Sequence, residues 1–504
     1  MPAPETRHHD LVIIGTGSGN SIIGPELDDL DIGLVEKGVF GGTCLNVGCI
    51  PTKMFVLPSD RVVEAAESVR LGVQVDGVHS DWAAIRERVF ARIDPIASGG
   101  EAYRKDAANV TVYQGLAHFT GPMQLDTGTG VTITADRWVI AAGGRPRGLE
   151  IDGLRAADPD HGVHTSDTIM RVDRLPARIV IVGGGFIAAE FAHVLDALGS
   201  AVTWVHRGPR VLTAEDGEIS GAFTDLARAR FDLRLESTVV AAERSGSAWR
   251  LTVEGPDGTS CIDTDAVLLA VGRVPNTDLL DAAAGGLPTH DDGRLVVDAQ
   301  QRTPVTGVWA LGDISSDHQL KHVANHEMRV VKHNLTHPEA PVESDHRYVP
   351  HAVFSHPQIA AVGHTQEQLE AAGRPFHAAT QRFGDVAFGW ALEDTSGICK
   401  VIVDPDTLEI LGAHLMGPMS STLVQPLIQA MQFGQRADDI AKKQYWIHPA
   451  LTEVIENALL GAIEPDPSGA RHTPHPRLLL SECPNEATSP PLRARAKQQA
   501  GISG

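Results

Sequence analysis

The chain has 504 residues, enough for three or four domains of about 150 residues each. Its 42 Lys and Arg against 64 Asp and Glu give a formal charge of −22, which repels nucleic acid and anionic membranes at long range. No apolar run reaches the roughly 18 residues of a membrane span, and five cysteines are too few for a disulfide scaffold. We therefore expect a cytoplasmic protein without nucleic-acid or membrane partners.

The first predicted unit is a strand, a glycine turn, a helix and a second strand. Apolar residues 11–14 lead into Gly15, Gly17 and Gly19, and a second strand at 32–35 ends on Glu36. Glycines let backbone N–H groups approach a pyrophosphate at a helix N-terminus, and Glu36 can accept hydrogen bonds from ribose hydroxyls. The pattern predicts a dinucleotide site, with Asn20 in place of the usual third glycine.

A cysteine pair, Cys44 and Cys49, follows this unit. Five residues of regular helix rise about 7.5 Å, whereas the Cα atoms of a disulfide usually lie within about 6.8 Å. A bond therefore needs a distorted turn, which Gly48 and Pro51 allow, and such strain favours a reducible disulfide. Two unpaired buried thiols or half a metal site are the alternatives. Because no second cysteine pair completes a zinc site, we expect no bound metal.

The second predicted unit repeats the first, with a strand at 179–182 followed by Gly183, Gly185 and Ala188. Its second strand, 202–205, ends in the run HRGPR at 206–210, with no carboxylate at the ribose position. Arg207 and Arg210 suit a 2′-phosphate, so the sequence favours NADPH over NADH. The alternative is that both arginines are solvated surface residues.

The segment GGTCLNVGCIPTK at 41–53 resembles the redox-disulfide signature of the flavoprotein disulfide reductases, a family that includes glutathione reductase, lipoamide dehydrogenase and mercuric reductase. The resemblance extends over about residues 10–461. It implies an α/β fold with two Rossmann-like dinucleotide-binding domains, for FAD and then NADPH, and a C-terminal α+β dimerisation domain. We accordingly expect a homodimer.

The resemblance also implies the domain boundaries. The expected divisions are 1–152 for FAD binding, 153–274 for NADPH binding, 275–345 for a central segment completing the FAD domain, and 346–464 for dimerisation. Residues 465–504 are rich in Pro, Ser and Arg and lack periodicity, so they are predicted to be a disordered tail. Cys483 within that tail is expected to be an inert thiol.

By the same resemblance, Cys49 lies against the flavin and Cys44 exchanges with the substrate. Lys53 and Glu190 match an ion pair near the flavin. His448, backed by Glu453, would move the proton that thiol exchange requires, because imidazole titrates near neutral pH. The other expected contacts are Gly15, Gly17, Gly19, Glu36, Gly42, Thr43, Lys53, Gly143 and Asp313 for FAD, and Gly183, Gly185, Ala188, Glu190, His206, Arg207, Arg210 and Gly272 for NADPH.

The expected activity is NADPH-dependent reduction of a small-molecule disulfide to two thiols. The opening GTGSGN, with Asn20, resembles members that act on the disulfide of mycothiol. The alternatives are another small-disulfide reductase, a dihydrolipoamide dehydrogenase, or a non-catalytic flavin-binding interaction protein. His318, His322 and His326 recur every fourth residue, which fits either a metal-binding helix face or a polar helix.

Overall fold

A computed structural model describes residues 5–464. Its strands, numbered in chain order, are β1 (Glu5–Ile14), β2 (Ile32–Glu36), β3 (Val110–Gln114), β4 (His118–Gly121), β5 (Gln124–Asp126), β6 (Val131–Ile140), β7 (Gly144–Pro146), β8 (Val163–His164), β9 (Arg178–Val182), β10 (Ala201–Val205), β11 (Asp232–Arg234), β12 (Thr238–Ser245), β13 (Ala248–Gly255), β14 (Gly258–Thr264), β15 (Ala266–Leu269), β16 (Arg273–Pro275), β17 (Val308–Ala310), β18 (His351–Val353), β19 (Ile359–Gly363), β20 (His377–Arg382), β21 (Ile398–Val403) and β22 (Ile410–Met416). Its α-helices are α1 (Gly42–Asn46), α2 (Cys49–Glu67), α3 (Trp82–Asp106), α4 (Phe186–Ala197), α5 (Gly217–Arg230), α6 (Lys321–Thr336), α7 (Gln366–Ala371), α8 (Ala387–Leu392), α9 (Ser420–Leu423), α10 (Gln425–Gln432), α11 (Ala437–Lys443) and α12 (Glu453–Ile463).

The first sheet has the order β3-β2-β1-β6-β5-β4, with β17 added beside β6. Strands β1, β2, β3, β6 and β17 pair in parallel, and β4 and β5 turn back antiparallel. Leu11, Val12 and Ile13 are fully buried, as expected for a parallel strand covered on both faces. At the carboxyl end of β1, the N–H of Gly15 donates to the carbonyl of Val35. The carboxyl ends of β1 and β2 therefore meet at one edge of the sheet.

The segment between β1 and β2 differs from the prediction. It contains two 3₁₀ turns, Gly19–Ile22 and Pro25–Leu27, where the sequence predicted a regular helix. Pro25 lacks an N–H and disfavours helical backbone at Gly24, so a continuous helix cannot pass this point. The first dinucleotide loop is therefore followed by a helix of one turn only.

The second sheet has the order β11-β10-β9-β15-β8 and is parallel throughout. Here the predicted unit is regular, because α4 connects β9 to β10 and α5 connects β10 to β11. An antiparallel meander, β12-β13-β14, extends from this unit, and the short ribbon of β7 and β16 joins the two regions.

The C-terminal region is an antiparallel sheet of order β18-β19-β22-β21-β20, packed against α12. Two dinucleotide-binding α/β units and a C-terminal α+β unit confirm the predicted fold class. No helix within residues 5–464 is both long and apolar enough to cross a membrane. The domain boundaries stay predictions, and the tail at 465–504 with Cys483 lies outside the described residues.

Candidate active site

A cavity of about 2010 Å³ opens where the two dinucleotide loops face each other. Its wall contains both cysteines of the motif, both glycine loops and the start of the C-terminal sheet. The wall residues that the sequence singled out are Gly15, Gly17, Glu36, Gly42, Thr43, Cys44, Cys49, Lys53, Gly143, Gly183, Gly185, Glu190, His206, Arg207, Gly272 and Asp313. One space therefore holds residues that lie more than 250 positions apart in the chain.

Backbone without side chains forms much of this wall. Gly15 has φ +103°, and a Cβ there would lie 2.3 Å from the carbonyl oxygen of Ala141. At Gly143, Gly185 and Gly272, by contrast, a Cβ would meet nothing within 4 Å. Bare backbone facing open space is the surface that a pyrophosphate needs for close approach. The cavity wall therefore fits the phosphates of two dinucleotides.

Glu36 connects the first loop to the end of β2. Its Oε2 accepts hydrogen bonds from the backbone and hydroxyl of Thr16, at 2.9 and 2.6 Å, and its Oε1 accepts from the N–H of Gly38 at 2.9 Å. A carboxylate offers about four lone pairs, so one position remains for a ribose hydroxyl. The predicted ribose contact is compatible with this geometry.

Asn20, the unusual residue of the first loop, is held by Arg104 of α3. The guanidinium Nε donates to Asn20 Oδ1 at 2.7 Å, and Nη2 donates to the carbonyls of Asn20 and Ile23 at 2.8 and 3.2 Å. These carbonyls have no continuing helix to bond with, because the 3₁₀ turn ends at Ile22. Arg104 replaces the missing helical hydrogen bonds.

A break in the helix brings the two cysteines together. Cys44 lies in α1, which ends at Asn46, and Cys49 is the first residue of α2. At the break, a Cβ on Gly48 would lie 2.9 Å from the carbonyl oxygen of Thr43, so a side chain there would push the turns apart. Pro51 lies in the first turn of α2. A backbone N–H at this place has no acceptor within the helix, so the N–H that proline lacks costs no helical hydrogen bond. The helix between the two cysteines is therefore interrupted, where the sequence predicted a distorted turn.

The reduced pair shares one hydrogen bond between its thiols. That bond, with the ammonium of Lys321 contributing and burial opposing, lowers the pKa of Cys44 to about 7. The same bond, together with burial, raises the pKa of Cys49. Because the thiolate is the nucleophilic form of cysteine, Cys44 is the reactive thiol at neutral pH.

Lys53 and Glu190 lie near each other but differ from the predicted ion pair. Among the described ion pairs, all within 4.0 Å, none joins these two side chains. Phe354 contacts both of them. Lys53 Nζ is 4.0 Å from the centroid of the Phe354 ring, and the backbone N–H of Phe354 donates to Glu190 Oε1 at 2.9 Å. Burial raises the pKa of Glu190 to about 7, against the opposing effects of this hydrogen bond and of Lys53.

His448 and Glu453 form the predicted pair away from the cavity wall. His448 Nδ1 is 2.8 Å from Glu453 Oε1, and Glu453 Oε2 accepts from the N–H of Ala450 at 3.3 Å. The side chain of Glu453 is 18% exposed, whereas that of His448 is 70% exposed. The carboxylate therefore fixes the imidazole, which points outward from its own chain.

The two arginines after β10 lie in different surroundings. Arg207 lines the cavity, beside a His206 ring that packs on Gly184. Arg210, which the sequence predicted to bind the same phosphate, is not part of the wall, and its Nη1 donates to the carbonyl of Gly217 at 3.0 Å. This contact with the start of α5 points the guanidinium away from the wall, and the role of Arg210 in binding the phosphate stays a prediction.

Two predicted contacts are packing residues rather than wall residues. A Cβ on Gly19 would lie 2.7 Å from the Cβ of Ala141, and Ala188, in the first turn of α4, is fully buried in the core. Their small size lets the chain pack closely against the neighbouring strand. Asp313, by contrast, lines the cavity, and burial raises the pKa of its carboxyl.

The three spaced histidines do not form a metal site. His318 precedes α6, whereas His322 Nε2 lies 2.8 Å from the carbonyl of Pro350, and His326 Nε2 accepts from the N–H of Asp345 at 3.1 Å. Within residues 5–464, no group of three or more His, Cys, Asp or Glu side chains is arranged to hold a metal ion. These contacts agree with the polar-helix alternative.

Lys321 and Phe354 were missed by reasoning from the sequence. Lys321 begins α6, and its Nζ donates to Ser18 Oγ at 2.8 Å while its charge favours the Cys44 thiolate. Both residues are far from the cysteine motif in sequence and belong to no motif of their own. Only the folded chain places them at the site.

Comparison with known proteins identifies the class. Residues 9–329 match the pyridine nucleotide-disulphide oxidoreductase family, and residues 349–459 match the dimerisation domain of that family. The chain belongs to this family of FAD-dependent oxidoreductases, which assigns FAD and NADPH as its cofactors. The predicted enzyme class and the predicted resemblance are confirmed.

Several named proteins are similar over almost the whole chain. Mycothione reductases from two strains of Mycobacterium tuberculosis are 50% identical over 465 residues, covering 90% of this chain and 99% of theirs. Dihydrolipoyl dehydrogenase from Haemophilus influenzae is 32% identical over 460 residues, covering 88% and 93%. The HOCl-induced flavoprotein disulfide reductase RclA from Escherichia coli has a solved structure that matches with a TM-score of 0.78 at 25% identity, covering 90% and 99%.

Proposed function

We propose that this chain is an NADPH-dependent reductase of mycothiol disulfide, working as a cytoplasmic homodimer. The observation that carries the proposal is the thiol pair of Cys44 and Cys49 on the wall of a cavity shared by two dinucleotide loops. The substrate follows from the 50% identity to mycothione reductase, compared with 32% to a dihydrolipoyl dehydrogenase. The matched dimerisation domain supports the homodimer.

Bound FAD would supply the transfer of two electrons from NADPH that reduces the disulfide of Cys44 and Cys49 to two thiols. The thiolate of Cys44 then attacks one sulfur of the substrate, which forms a mixed disulfide and releases the first thiol. Cys49 attacks the Cys44 sulfur, which restores the internal disulfide and releases the second thiol. The low pKa of Cys44 supports its role as the attacking group, because about half of the thiol is ionised at neutral pH.

Each departing thiolate needs a proton, and His448 is the proposed donor. Glu453 accepts from Nδ1, so Nε2 is the ring nitrogen that faces outward and can exchange protons. Because His448 is exposed and is not part of this chain's cavity wall, we propose that it serves the cysteines of the second subunit. Mixing Cys44→Ala with His448→Ala homodimers would then restore activity in heterodimers, whereas verified heterodimers without activity would contradict action between subunits.

The cofactor roles are proposed from the wall residues. Glu36 and Asp313 would bind sugar hydroxyls of FAD, and the backbone at Gly143 would approach its phosphates. For NADPH, Gly185 and Gly272 would face the pyrophosphate, and Arg207 would bind the 2′-phosphate in a charge-assisted contact. His206 would stand at the ribose position, and because burial lowers the pKa of its ring, it would add little positive charge.

Steady-state oxidation of NADPH with three disulfides tests the substrate. We expect kcat/KM to be highest for mycothiol disulfide, with glutathione disulfide and lipoamide far lower, and Cys44→Ser to abolish all three. A preference for lipoamide with NADH would instead indicate a dihydrolipoamide dehydrogenase. A protein that binds FAD but reduces none of the three would support the non-catalytic alternative.

A further inference from the structure

The wall segment, residues 212–215, connects the second dinucleotide loop to the C-terminal unit. All four of its residues line the cavity. At its start, the N–H of Leu212 donates to the carbonyl of Gly184 at 2.7 Å, so the wall segment lies against the glycine loop. It is followed directly by Asp216, the N-cap residue of α5, whose side chain is fully buried. The position of this part of the cavity wall therefore depends on what holds Asp216.

Two helices from different units exchange hydrogen bonds at their N-termini here. Asp216 Oδ1 accepts from the N–H of Glu218 in its own helix at 3.1 Å, and Oδ2 accepts from the N–H of Gln366, the first residue of α7, at 3.0 Å. In return, Glu367 Oε1 accepts from the N–H of Gly217, the first residue of α5, at 3.0 Å. The first N–H groups of a helix have no acceptor within that helix. Each helix therefore receives a missing acceptor from the other unit.

A buried lysine of the C-terminal sheet completes this contact. The side chain of Lys400 in β21 is 5% exposed, and its Nζ donates to Asp216 Oδ1 at 2.8 Å and lies 3.6 Å from Glu218 Oε2. Glu218 Oε2 also accepts from the hydroxyl of Thr380 in β20 at 2.9 Å. Buried charges are stable when they are paired and hydrogen-bonded. Lys400 therefore holds both carboxylates against the C-terminal sheet.

The last residue of the wall segment contacts the same unit. Glu215 Oε1 lies 2.8 Å from His351 Nε2 in β18, and the side chain of Glu215 is 4% exposed. Four consecutive residues, 215–218, thus each contact the C-terminal unit, through β18, β20, β21 and α7. One end of the wall segment is held by the glycine loop and the other end by the C-terminal unit.

We propose that the C-terminal unit forms part of the NADPH site: Asp216, Lys400 and Glu367 are positioning residues that fix the wall segment for NADPH. The inference rests on the proposed function in that the second glycine loop binds NADPH. A segment that is fixed before binding need not be ordered by the cofactor, which strengthens binding. If loss of an anchor leaves about a tenth of the molecules with the segment in place, the Kd of the cofactor rises about tenfold.

Titration of the FAD-loaded, full-length protein with NADP⁺, followed by the flavin spectrum, tests this. Lys400→Met removes the ammonium that pairs with Asp216, so we expect the Kd of NADP⁺ to rise about tenfold while FAD content stays at the wild-type level. Lys400→Gln, whose amide can still donate to Asp216, should bind more tightly than Lys400→Met. A merely structural role of Lys400 would lower the Tm of both variants without changing their Kd.

Glu367 allows the same test from an exposed position on α7. Glu367→Ala removes the acceptor of the Gly217 N–H, so we expect the Kd of NADP⁺ to rise about threefold, whereas Glu367→Gln keeps an accepting oxygen and should bind like wild type. Glu370→Ala is the matched control, because this exposed carboxylate of α7 accepts from Gln366 of the same helix. This comparison keeps the proposal testable if Lys400→Met does not fold.

Three results would each overturn the proposal. They are a wild-type Kd in folded Lys400→Met, a wild-type Kd in Glu367→Ala, and an equal rise in Glu367→Ala and Glu370→Ala. Gly185→Ala is titrated in parallel, because this residue belongs to the glycine loop itself. A wild-type Kd in Gly185→Ala would contradict the proposed place of NADPH. Weaker binding in Gly185→Ala together with wild-type binding in the α7 and β21 variants would refute the anchoring role alone.

Discussion

The two dinucleotide units begin from one sequence pattern and reach different structures. In the second unit the loop from Gly183 to Gly185 runs into α4, a regular helix of 12 residues. In the first unit the loop from Gly15 is followed by a 3₁₀ turn of 4 residues, Gly19–Ile22. The second loop continues into its helix, and its carbonyls at Gly183 and Gly184 accept hydrogen bonds from Trp204 Nε1 and from the N–H of Leu212. The first loop is held by Glu36 and by Arg104, which reaches it from α3.

This difference shows that a glycine fingerprint specifies the turn but not the element after it. Gly24 and Pro25 stop helix growth in the first unit, so carbonyl groups that a helix would satisfy require Arg104 from α3. Loop geometry in the first unit therefore depends on Arg104 from a helix outside the β1–β2 segment, whereas the second loop depends on its own helix and on residues in and just after β10. Substitutions in the two loops and in the residues that hold them separate these two sources of order.

Replacing one glycine in each loop should have very different effects. Gly15→Ala places a Cβ at positive φ and 2.3 Å from a backbone oxygen, so we expect about 3 kcal/mol or more of destabilisation and loss of FAD. Gly185 has φ −91°, and a Cβ there would meet nothing within 4 Å. The stability of Gly185→Ala should therefore match wild type, while its KM for NADPH rises. Urea unfolding, FAD content and kinetics measure both. Equal stability of the two variants would contradict the account.

Removing Arg104 should weaken only the first unit. Arg104→Met leaves the buried carbonyls of Asn20 and Ile23 without donors, so we expect about 2–3 kcal/mol lower free energy of unfolding and weaker FAD retention. KM for NADPH should be unchanged in the fraction that retains FAD. Arg92→Met, an exposed position on the same helix, is the control. If both variants behave alike, Arg104 does not hold the loop.

The two arginines after β10 should separate in cofactor kinetics. Arg207→Ala removes a guanidinium from the cavity wall, so KM for NADPH should rise about tenfold while NADH kinetics stay nearly unchanged. Arg210→Ala, whose side chain contacts the carbonyl of Gly217, should leave the preference for NADPH intact. Loss of preference in Arg210→Ala alone would show instead that Arg210 binds the 2′-phosphate.

In the reduced pair of Cys44 and Cys49, only Cys44 should ionise near neutral pH and control the rate of alkylation. Alkylation of the reduced enzyme at Cys44 should increase about tenfold per pH unit below pH 7 and level off above it, because the pKa of Cys44 is about 7. Cys49→Ala removes the hydrogen bond that lowers this pKa, so the midpoint should move upward. An unchanged midpoint in Cys49→Ala would show that another group stabilises the thiolate.

Features of the fold and the site that depend on local sequence pattern or on family resemblance could be predicted from the sequence. The fold class, both loops, the cysteine motif and the contact between His448 and Glu453 follow from short motifs. Arg104, Lys321 and Phe354 could not be predicted, because tertiary packing alone brings them to residues far away in the chain. The contact of Arg210 with the carbonyl of Gly217 could not be predicted either, because residue type and position do not reveal a competing backbone acceptor.

The central claim is that electrons from NADPH reach the disulfide of Cys44 and Cys49. Anaerobic thiol titration of the FAD-loaded protein, denatured before and after NADPH addition, tests it most directly. The account predicts two additional thiols per chain after NADPH in the wild-type protein and none in Cys44→Ser, with the other cysteines as a constant background. An FAD-loaded wild-type protein that gains no thiols with NADPH would contradict it.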